Sequence, residues 1–287
     1  MIIKAPASTA NLGPGFDSLG MAVSLYLEVE VLSVADRFQV DHVMKGIPHD
    51  EKNLIVKTAL TVYPGLPPLH LRVKSNIPLA HGLGSSSSAI AAGIELANQI
   101  GKLGLSDEEK VQLGAKIEGH PDNIASTILG GLVVGTEVNH HFDAVEAPLP
   151  PYALVAYVPD YNLETKTARA VLPKELAFDV ATHGSAVANT LIASLFAQDY
   201  PKAGELMEQD VFHEVYREKL VPELVKVREV AHSKHALATY LSGAGSTIMT
   251  WIEDKHVAGF LSGLRKHDLK DETLILHPDE HGVQIIQ

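Results

Sequence analysis

The stretch Gly82–Ser88 constrains the fold and the chemistry of this chain more than any other. It places Gly82, Gly84 and four consecutive serines directly before an apolar segment from Ala89 to Ala97. A flexible Gly/Ser linker joins two polar ends, whereas this stretch continues into the composition of a buried helix, with serine as a favoured N-cap. A glycine-rich turn that leads into a helix offers free backbone N–H groups and the positive end of the helix dipole, which together bind anions, most often phosphate. The stretch alone leaves a phosphate site and a tight structural turn both open.

The composition is that of an ordinary globular protein and excludes several classes of function. The 287 residues suffice for one large domain or two modest ones. The net charge of −12 argues against a broad basic face for nucleic acid. The absence of cysteine excludes disulfides, thiolate zinc sites and thiol nucleophiles. Because the sequence lacks a signal-peptide pattern and an apolar run long enough for a membrane span, we expect a cytoplasmic protein without a membrane partner.

The first half of the chain is predicted to mix strands and helices. The predicted elements are strands at Met21–Val34, His70–Ser75 and Gly130–Val138, a helix from the serine cluster to about Ile100, and a helix from Ser106 to about Glu118. Ser106 and Glu109 form a capping-box pattern at the start of the last helix. The proline-rich segment Ala147–Tyr152 predicts a domain boundary, which divides the chain into residues 1–148 and 149–287.

The second half has an order of elements that indicates a fold. The predicted elements are a strand at Tyr152–Pro159, helices between about His183 and Ala231 with a break near Asp199–Pro201, strands at Ala236–Ser242 and Ser246–Ile252, a helix at Asp254–His267 and a strand at Glu272–Pro278. This β-α-β-β-α-β order is that of a ferredoxin-like domain. The predicted fold class is therefore α+β.

The serine loop does not fit the two commonest phosphate-binding motifs. No lysine follows Gly84, so the G-x-x-x-x-G-K-[ST] loop is absent, and a serine occupies the third glycine position of G-x-G-x-x-G. A lysine-free loop rich in hydroxyls suggests that backbone N–H groups and a metal hold the phosphates. A serine hydroxyl can be one ligand of Mg²⁺, and in so acidic a protein Mg²⁺ would offset the charge of a triphosphate.

Four segments in chain order resemble the motifs of the GHMP small-molecule kinases. They are PASTANLGPGFDSLGMAV (Pro6–Val23), PLAHGLGSSSSA (Pro78–Ala89), EGHPDNIASTILGG (Glu118–Gly131) and LSGAGSTI (Leu241–Ile248). The serine motif identifies only the superfamily, whereas the first and third segments resemble its homoserine-kinase branch. The resemblance spans nearly the whole chain.

This resemblance implies both a fold and a reaction. The implied fold is an N-terminal ATP-binding domain like domain 2 of ribosomal protein S5, residues 1–148, followed by a ferredoxin-like domain, residues 149–287. The implied reaction is ATP-dependent phosphorylation of the side-chain hydroxyl of L-homoserine to O-phospho-L-homoserine, on the route to threonine. ATP and Mg²⁺ are the implied co-substrate and metal. No nucleic-acid partner is expected, and the oligomeric state stays open, with a homodimer as the candidate assembly.

Homoserine is a zwitterion, so a selective site needs an anion for its amine and cations for its carboxylate. Asp17 matches the family residue that binds the amine; a turn aspartate is the alternative. Asn11 is either a turn residue or a substrate hydrogen-bond partner, and we favour the latter. Arg169 and Arg217 match the positions for the carboxylate, with Thr165 near the substrate, although an arginine on a helix is more commonly a solvated surface group.

The resemblance also assigns the nucleotide, metal and catalytic residues. The residues expected to wrap the ATP phosphates are Pro78, Leu79, Ala80, His81, Gly82, Leu83, Gly84, Ser85, Ser86, Ser87 and Ser88, and Asn53 is expected to contact adenine. Ser86 and Glu118 are the expected metal ligands, although only Gly119 separates Glu118 from His120, where other members have a longer insert. The expected catalytic residues are Asn123, which orients the attacking hydroxyl, and its neighbours His120 and Asp122, with no general base assigned.

Two other classes of function stay open at this stage. A GHMP kinase for mevalonate or shikimate would keep the serine loop but would need no anion for an ammonium group. A non-catalytic member of the fold would bind nucleotide without turnover, and its expected mark is a broken serine loop. The histidine pairs His140–His141 and His277 with His281 lack the spacing of metal ligands, so we interpret them as solvated or structural.

Overall fold

The computed structural model describes residues 1–286, which form two sheets with helices packed against them. The elements of the first half are β1 (Ile2–Ala10), β2 (Leu19–Val34), β3 (Gln39–Asp41), α1 (Leu54–Val62), β4 (Leu69–Ser75), α2 (Ser85–Gly101), α3 (Asp107–Glu118), α4 (Asp122–Leu129), β5 (Leu132–Val138) and β6 (His141–Ala147). Those of the second half are β7 (Ala153–Val158), α5 (Thr165–Ala170), α6 (Phe178–Phe196), α7 (Tyr200–Met207), α8 (Glu214–Arg217), a 3₁₀ turn (Glu218–Leu220), α9 (Glu223–His232), β8 (Ala238–Leu241), β9 (Ile248–Ile252), α10 (Asp254–Lys266), β10 (Glu272–Leu276) and β11 (Gln284–Ile286).

The first sheet is built around the long strand β2. The strand order is β11-β1-β2-β4-β3, and β5 pairs with both β2 and β6. The alternation of apolar and polar residues along β2 appears as alternating buried and half-buried side chains between Val23 and Glu30, as expected for a strand with one covered face. The last strand, β11, pairs with β1. Residues 284–286 therefore join the first sheet, although the predicted boundary assigned them to the second domain.

The second sheet has the order β10-β7-β9-β8, with all neighbours antiparallel. In chain order its strands are the fourth, first, third and second, which is the arrangement of a ferredoxin-like domain. The α+β fold class predicted from the order of elements is confirmed. The hairpin of β8 and β9 is also confirmed, with residues 242–247 as its turn.

Helix α2 is buried on more than one face, and this fixes the position of its serine end. Ala92 and Leu96 belong to a core cluster that contains residues of both sheets. Ile90 and Ile94 pack instead in a cluster with residues of α3 and α4. A helix that is apolar around most of its circumference is held from several sides, so its N-terminus is a rigid platform for the loop that precedes it.

Most predicted elements of the first half are present, but several strands and helices were not foreseen. The capping box of Ser106 and Glu109 is confirmed, with both reciprocal hydrogen bonds formed. The break in the helical region is confirmed between α6 and α7. Strands β1, β3, β6 and β11 and helices α1, α4 and α5 were not predicted from the sequence pattern. Among residues 1–286, no helix combines the length and the apolar character required to cross a lipid bilayer.

Candidate active site

A cavity of about 590 Å³ is lined by residues from both halves of the chain. Its wall contains Asn11, Phe16 and Asp17 from the turn after β1, Ala80 and residues 82–87 from the serine loop, Glu118, His120, Asp122 and Asn123 from the α3–α4 connection, and Leu163, Glu164, Thr165, Arg169, Arg217, Gly243 and Ala244 from the second half. The four sequence motifs therefore meet at one place, although the wall residues Asn11 and Gly243 are 232 residues apart in the chain.

The N-terminus of α2 points unpaired backbone donors at this cavity. Gly84 is the N-cap, in the left-handed conformation with φ 64°, and no side chain caps the helix. The first bond to the helix backbone runs from the Ser88 N–H to the Gly84 oxygen. In residues 1–286 the N–H groups of Ser85, Ser86 and Ser87 have no backbone acceptor. Free N–H groups at the start of a 17-residue helix form an anion site.

The expectation that a serine caps this helix is wrong. Gly84 occupies the N-cap position. A residue with a side chain would not fit there, because its Cβ would lie 2.0 Å from Ser8 Oγ and because the φ at this position is positive. Only glycine adopts this conformation without strain. The serines therefore fall in the first turn of α2, where their hydroxyls are free for other partners.

The loop before the helix is held in place by the second half of the chain. The backbone oxygens of residues 80–82 accept hydrogen bonds from the Leu163 N–H, the Thr247 N–H and Ser242 Oγ, at 3.1, 3.1 and 2.6 Å. A Cβ on Gly82 would lie 2.2 Å from the Ser242 oxygen. The carbonyls of His81 and Gly82 thus face the β8–β9 turn, and that of Ala80 faces the segment between β7 and α5, so two parts of the second half fix the conformation of the loop.

Glu118 reaches the serine cluster in spite of the short connection to His120. It is the last residue of α3, and its Oε1 accepts a hydrogen bond of 2.5 Å from Ser87 Oγ. Its other oxygen, Oε2, is buried and has no partner among the described residues. Burial raises the pKa of Glu118 to about 7, an effect that the Ser87 hydrogen bond only partly offsets.

An orphaned buried carboxylate oxygen beside a serine hydroxyl fits a divalent cation. Mg²⁺ prefers oxygen ligands, usually one or two carboxylates with phosphate oxygens and water. Glu118 supplies such a carboxylate, and Ser86 lines the cavity with an exposed side chain. The hydroxyl in contact with Glu118 belongs to Ser87, one of the serines predicted to wrap the phosphates.

His120, Asp122 and Asn123 form a connected group at the start of α4. Asp122 is buried, and its Oδ1 accepts hydrogen bonds from His120 Nδ1 at 2.6 Å and from the Asn123 N–H at 2.8 Å. The bond to Asp122 raises the pKa of His120. Asn123 Oδ1 accepts a hydrogen bond from Ser8 Oγ at 2.9 Å, which fixes the orientation of its amide and leaves its NH₂ group free for another acceptor.

Asp17 and Arg169 are paired across the cavity. Arg169 Nη2 and Nη1 donate to the two carboxylate oxygens of Asp17, at 2.7 and 3.1 Å. Both side chains are more than a third exposed, so the ion pair is solvated and easily opened. Asn11 Oδ1 accepts the backbone N–H of Asp17, and its Nδ2 donates to the Gly243 oxygen. Asn11 thus ties the Asp17 turn to the β8–β9 turn.

Arg217 is the most buried charge of the cavity wall, with a relative exposure of 2%. Burial, together with the neighbouring charge of Arg169, lowers the pKa of Arg217 to about 10. Phe16 lies beneath both guanidinium groups, with its ring centre 5.6 Å from the Cζ of Arg169 and 5.4 Å from that of Arg217. Thr165 begins α5 and also lines the cavity.

Some of the predicted site residues are not part of the cavity wall. Ser88 is buried and donates to the Pro6 oxygen, and His81 contacts the nearby Leu79 oxygen. Pro78 and Leu79 precede the wall residues. Asn53 is the N-cap of α1: its Oδ1 accepts from the Ile55 N–H and its Nδ2 donates to the Pro48 oxygen. Because both polar groups of Asn53 have backbone partners, its contact with adenine stays a prediction, and its neighbour Leu54 lines the cavity instead.

Several wall residues were not singled out from the sequence. Phe16 lies within the N-terminal motif Pro6–Val23, which could have marked it as a site residue. A phenylalanine beside a turn, however, suggests packing in the core. Leu163 and Ala244 carry no chemical signal. The described residues hold one cluster of three carboxylate or imidazole groups close enough to share a metal, namely Asp17, His120 and Asp122. Arg169 already occupies both oxygens of Asp17.

The chain matches the family model for the N-terminal domain of GHMP kinases over residues 53–131 and that for the C-terminal domain over residues 191–267. The chain belongs to the GHMP kinase family, and the resemblance inferred from the four motifs is confirmed.

Within that family, the chain is similar over its full length to homoserine kinases. A homoserine kinase from Lactobacillus acidophilus is 82% identical over 287 residues, 100% of both chains. One from Limosilactobacillus fermentum is 57% identical over 285 residues, 99% of this chain and 100% of the relative. The crystal structure of homoserine kinase from Cytophaga hutchinsonii has a TM-score of 0.87 and 25% identity, and the match covers 100% of this chain and 97% of that one.

Proposed function

We propose that this chain is a homoserine kinase, which transfers the γ-phosphoryl group of ATP to the side-chain hydroxyl of L-homoserine. The full-length identity of 82% to a homoserine kinase supports this activity. The main structural support for this activity is that Asp17, Arg169 and Arg217 line the same cavity as the unpaired N–H groups of α2. A zwitterionic acceptor and an anionic donor can therefore bind side by side. The product, O-phospho-L-homoserine, is an intermediate on the route to threonine.

The charged end of the cavity suits an α-amino acid. The ammonium group binds Asp17, and the carboxylate binds Arg169 and Arg217, with Asn11 and Thr165 as further hydrogen-bond partners. In the free enzyme, Asp17 and Arg169 neutralise each other's charge through their ion pair. A zwitterion that lies between them replaces one exposed ion pair by two, and the exposed pair costs little to open, on the order of 1 kcal/mol or less.

The serine end suits the phosphates of ATP, whose use follows from membership of a kinase family. The N–H groups of Ser85–Ser87 and the dipole of α2 stabilise the negative charge that develops on the transferred phosphoryl group. Pro78–Ser88 surround the phosphates, with those loop residues that lie outside the wall acting as its support.

We further propose that Glu118 and a hydroxyl of the serine cluster hold Mg²⁺. The bound metal would neutralise charge on the phosphates and supply electrophilic assistance to phosphoryl transfer. Ser86 is the proposed hydroxyl ligand, and Ser87 holds the carboxylate of Glu118 in place through its hydrogen bond.

The reacting hydroxyl is positioned by the group at the start of α4. Asn123, oriented by Ser8, contacts the hydroxyl, and His120 lies beside it with its ring oriented by Asp122. Phosphoryl transfer through a loose transition state requires mainly alignment and charge stabilisation, so no residue is assigned as general base. A cytoplasmic location and a homodimeric assembly stay predictions.

The experiment that tests the function is an ADP-release assay with ATP, Mg²⁺ and L-homoserine, with mevalonate, shikimate and galactose as parallel acceptors. Homoserine alone should support turnover, and ³¹P NMR should identify a phosphate monoester on its hydroxyl. Turnover with mevalonate or shikimate instead would assign the chain to another branch of the family. ATP binding without turnover of any acceptor would support a non-catalytic role.

A further inference from the structure

Arg217 is held by neutral groups, and one of them is a histidine ring outside the cavity wall. Arg217 Nε donates to the Ala168 oxygen at 3.2 Å, and Nη1 donates to the Gly243 oxygen at 2.9 Å and to His213 Nδ1 at 3.2 Å. No carboxylate hydrogen bonds to Arg217 among the described residues. The charge of this guanidinium group is therefore still available to a ligand, and Nη2 is the donor that its hydrogen bonds leave over.

The hydrogen bonds of His213 define which of its nitrogens carries the proton. His213 is fully buried, and its Nε2 lies 3.0 Å from the Gly13 oxygen. A carbonyl oxygen only accepts, so Nε2 must carry the hydrogen. Arg217 Nη1 only donates, so Nδ1 must be the bare acceptor. These two partners fit the tautomer with a proton on Nε2 and a bare Nδ1, and Asp210 Oδ2 lies 3.6 Å from Nε2 on the side of the ring that carries the proton.

The same ring contacts the turn that carries Asp17. Besides the bond to Gly13, the ring of His213 stacks on Phe16 with a centroid distance of 5.2 Å and an interplanar angle of 22°. The turn packs closely against α7, since a Cβ on Gly13 would lie 1.8 Å from the Met207 oxygen. His213 thus joins two segments, one with the proposed ammonium-binding carboxylate and one with the proposed carboxylate-binding guanidinium group.

His213 is itself fixed in position. Asp210 accepts the N–H groups of Phe212, His213 and Glu214 through its two oxygens, at 2.7 to 2.9 Å. This caps the start of α8, the short helix that ends with Arg217. His213 and Arg217 lie four residues apart on that turn, so their side chains are neighbours on one face.

We propose that His213 is a positioning residue for the amino-acid substrate. Its neutral ring orients the guanidinium plane of Arg217 and sets the separation of that plane from Asp17, so that the two charges match the carboxylate and the ammonium group of one α-amino acid. The inference rests on the proposed function, because it concerns the same substrate.

Two substitutions separate the two hydrogen bonds of the ring. His213→Asn places an amide oxygen where Nδ1 lies and keeps an acceptor for Arg217. His213→Gln places an amide nitrogen where Nε2 lies and keeps only the donor to Gly13. For His213→Gln we expect the KM for L-homoserine to rise by about 10- to 100-fold, the effect of losing a hydrogen bond to a charged group. His213→Asn should restore most of this loss, and in both variants kcat and the KM for ATP should change little.

A matched control and a measurement on the wild type complete the test. His267→Gln removes an exposed ring that also contacts a backbone oxygen, that of Gly263, and should leave all constants unchanged. In the wild type, ¹⁵N NMR should find the His213 proton on Nε2, and the Nδ1 signal should shift when L-homoserine is added but not when ATP is added. Because this measurement uses the wild type, it tests the positioning role of His213 even if neither variant folds.

Different results would contradict the positioning role of His213 and the proposed function. A proton on Nδ1, an Nδ1 signal indifferent to homoserine, or equal rises in homoserine KM for Asn and Gln that follow their melting temperatures would overturn the positioning role. Wild-type enzyme that releases no ADP with L-homoserine would instead overturn the proposed function, and this assay is performed first.

Discussion

The serine end of the cavity is made of backbone, whereas the end that holds Asp17 and Arg217 is made of charged side chains. At the serine end, positive-φ glycines and free N–H groups come from one continuous stretch of chain. At the charged end, Asp17 and Arg169 are 152 residues apart in the sequence and meet only in the folded protein. Backbone donors recognise phosphate in any nucleotide-like ligand, whereas a set of opposite charges at defined positions recognises one small zwitterion. The comparison shows that local sequence determines the class of reaction, whereas tertiary structure determines which substrate binds.

The largest effect is expected where the backbone end cannot tolerate a side chain. Gly82→Ala places a Cβ 2.2 Å from the Ser242 oxygen at a φ of 74°. We expect turnover to fall by at least about 100-fold, because a displacement of about 1 Å at a phosphate loop suffices for that loss. The measurement is kcat/KM for ATP, with the melting temperature beside it.

The matched control for this change is Gly259→Ala. Gly259 is exposed in α10, and a Cβ there meets nothing within 4 Å. This variant should keep full activity and gain up to about 1 kcal/mol of stability from its helix position. Full activity of Gly82→Ala would mean that the loop adapts, and the backbone account of this end would be wrong.

The second effect concerns the carboxylate at the junction of the two ends. The pKa of Glu118 is about 7 in the folded protein and 4.5 as its ordinary value. Below pH 4.5 the carboxyl is protonated in both states and its contribution to stability is fully present. As the pH rises through 7 that contribution is lost, and it amounts to about 3 kcal/mol for this difference in pKa. Without metal, Glu118→Gln should therefore raise the free energy of unfolding at pH 8 by up to this amount.

Urea unfolding at pH 5 and pH 8 in the presence of a chelator measures this effect. Glu146→Gln, at an exposed position of β6, is the control and should change neither value. A pH dependence that is the same in Glu118→Gln and in the wild type would mean that Glu118 is ionised at no cost in the free enzyme.

A third effect separates the two ends by ligand. Arg217→Lys keeps a positive charge but loses the planar fork and at least two of its hydrogen bonds. We expect kcat/KM for L-homoserine to fall by about 10- to 100-fold, the cost of a hydrogen bond between charged groups. The KM for ATP should stay the same, because we propose that the nucleotide binds at the serine end. Arg265→Lys at the exposed end of α10 is the control, and an equal rise in both KM values would show that the two ends are not independent.

The smallest effect is expected for a hydroxyl at the serine end. Ser86 is exposed in the cavity and caps nothing, so Ser86→Ala should leave the melting temperature unchanged. If Ser86 is the metal ligand that we propose, its loss should lower turnover at limiting Mg²⁺ by about 10-fold or more. Equal activity of the variant and the wild type at limiting Mg²⁺ would exclude Ser86 as a ligand and would favour Ser87.

Much of the fold and one end of the site could be predicted from the sequence, for physical reasons. Periodic patterns and the capping box of α3 are local, and so are the glycines that free the start of α2. The N-cap at Gly84 could not be predicted, because it depends on the close approach of Ser8 from strand β1. The return of β11 to β1 could not be predicted either, since three residues carry too little pattern to identify a partner 280 residues away.

The charged end shows the same limit more strongly. Asp17, Arg169 and Arg217 were assigned through the resemblance to a family, because a turn aspartate and helical arginines carry no signal of their own. The ion pair of Asp17 with Arg169 and the ring of His213 behind Arg217 appear only when the two halves of the chain pack together.

The most direct test of this account compares L-homoserine with 4-hydroxybutyrate, which lacks the amine, in the wild type and in Asp17→Asn. Asparagine keeps the shape of the side chain and removes the charge that we assign to the ammonium group. The wild type should prefer homoserine by about 10- to 100-fold in kcat/KM, the effect of one hydrogen bond between charged groups. Asp17→Asn should lose most of that preference while its KM for ATP is unchanged. If the two enzymes discriminate equally, Asp17 does not bind the amine, and the charged end of the cavity does not select a zwitterion.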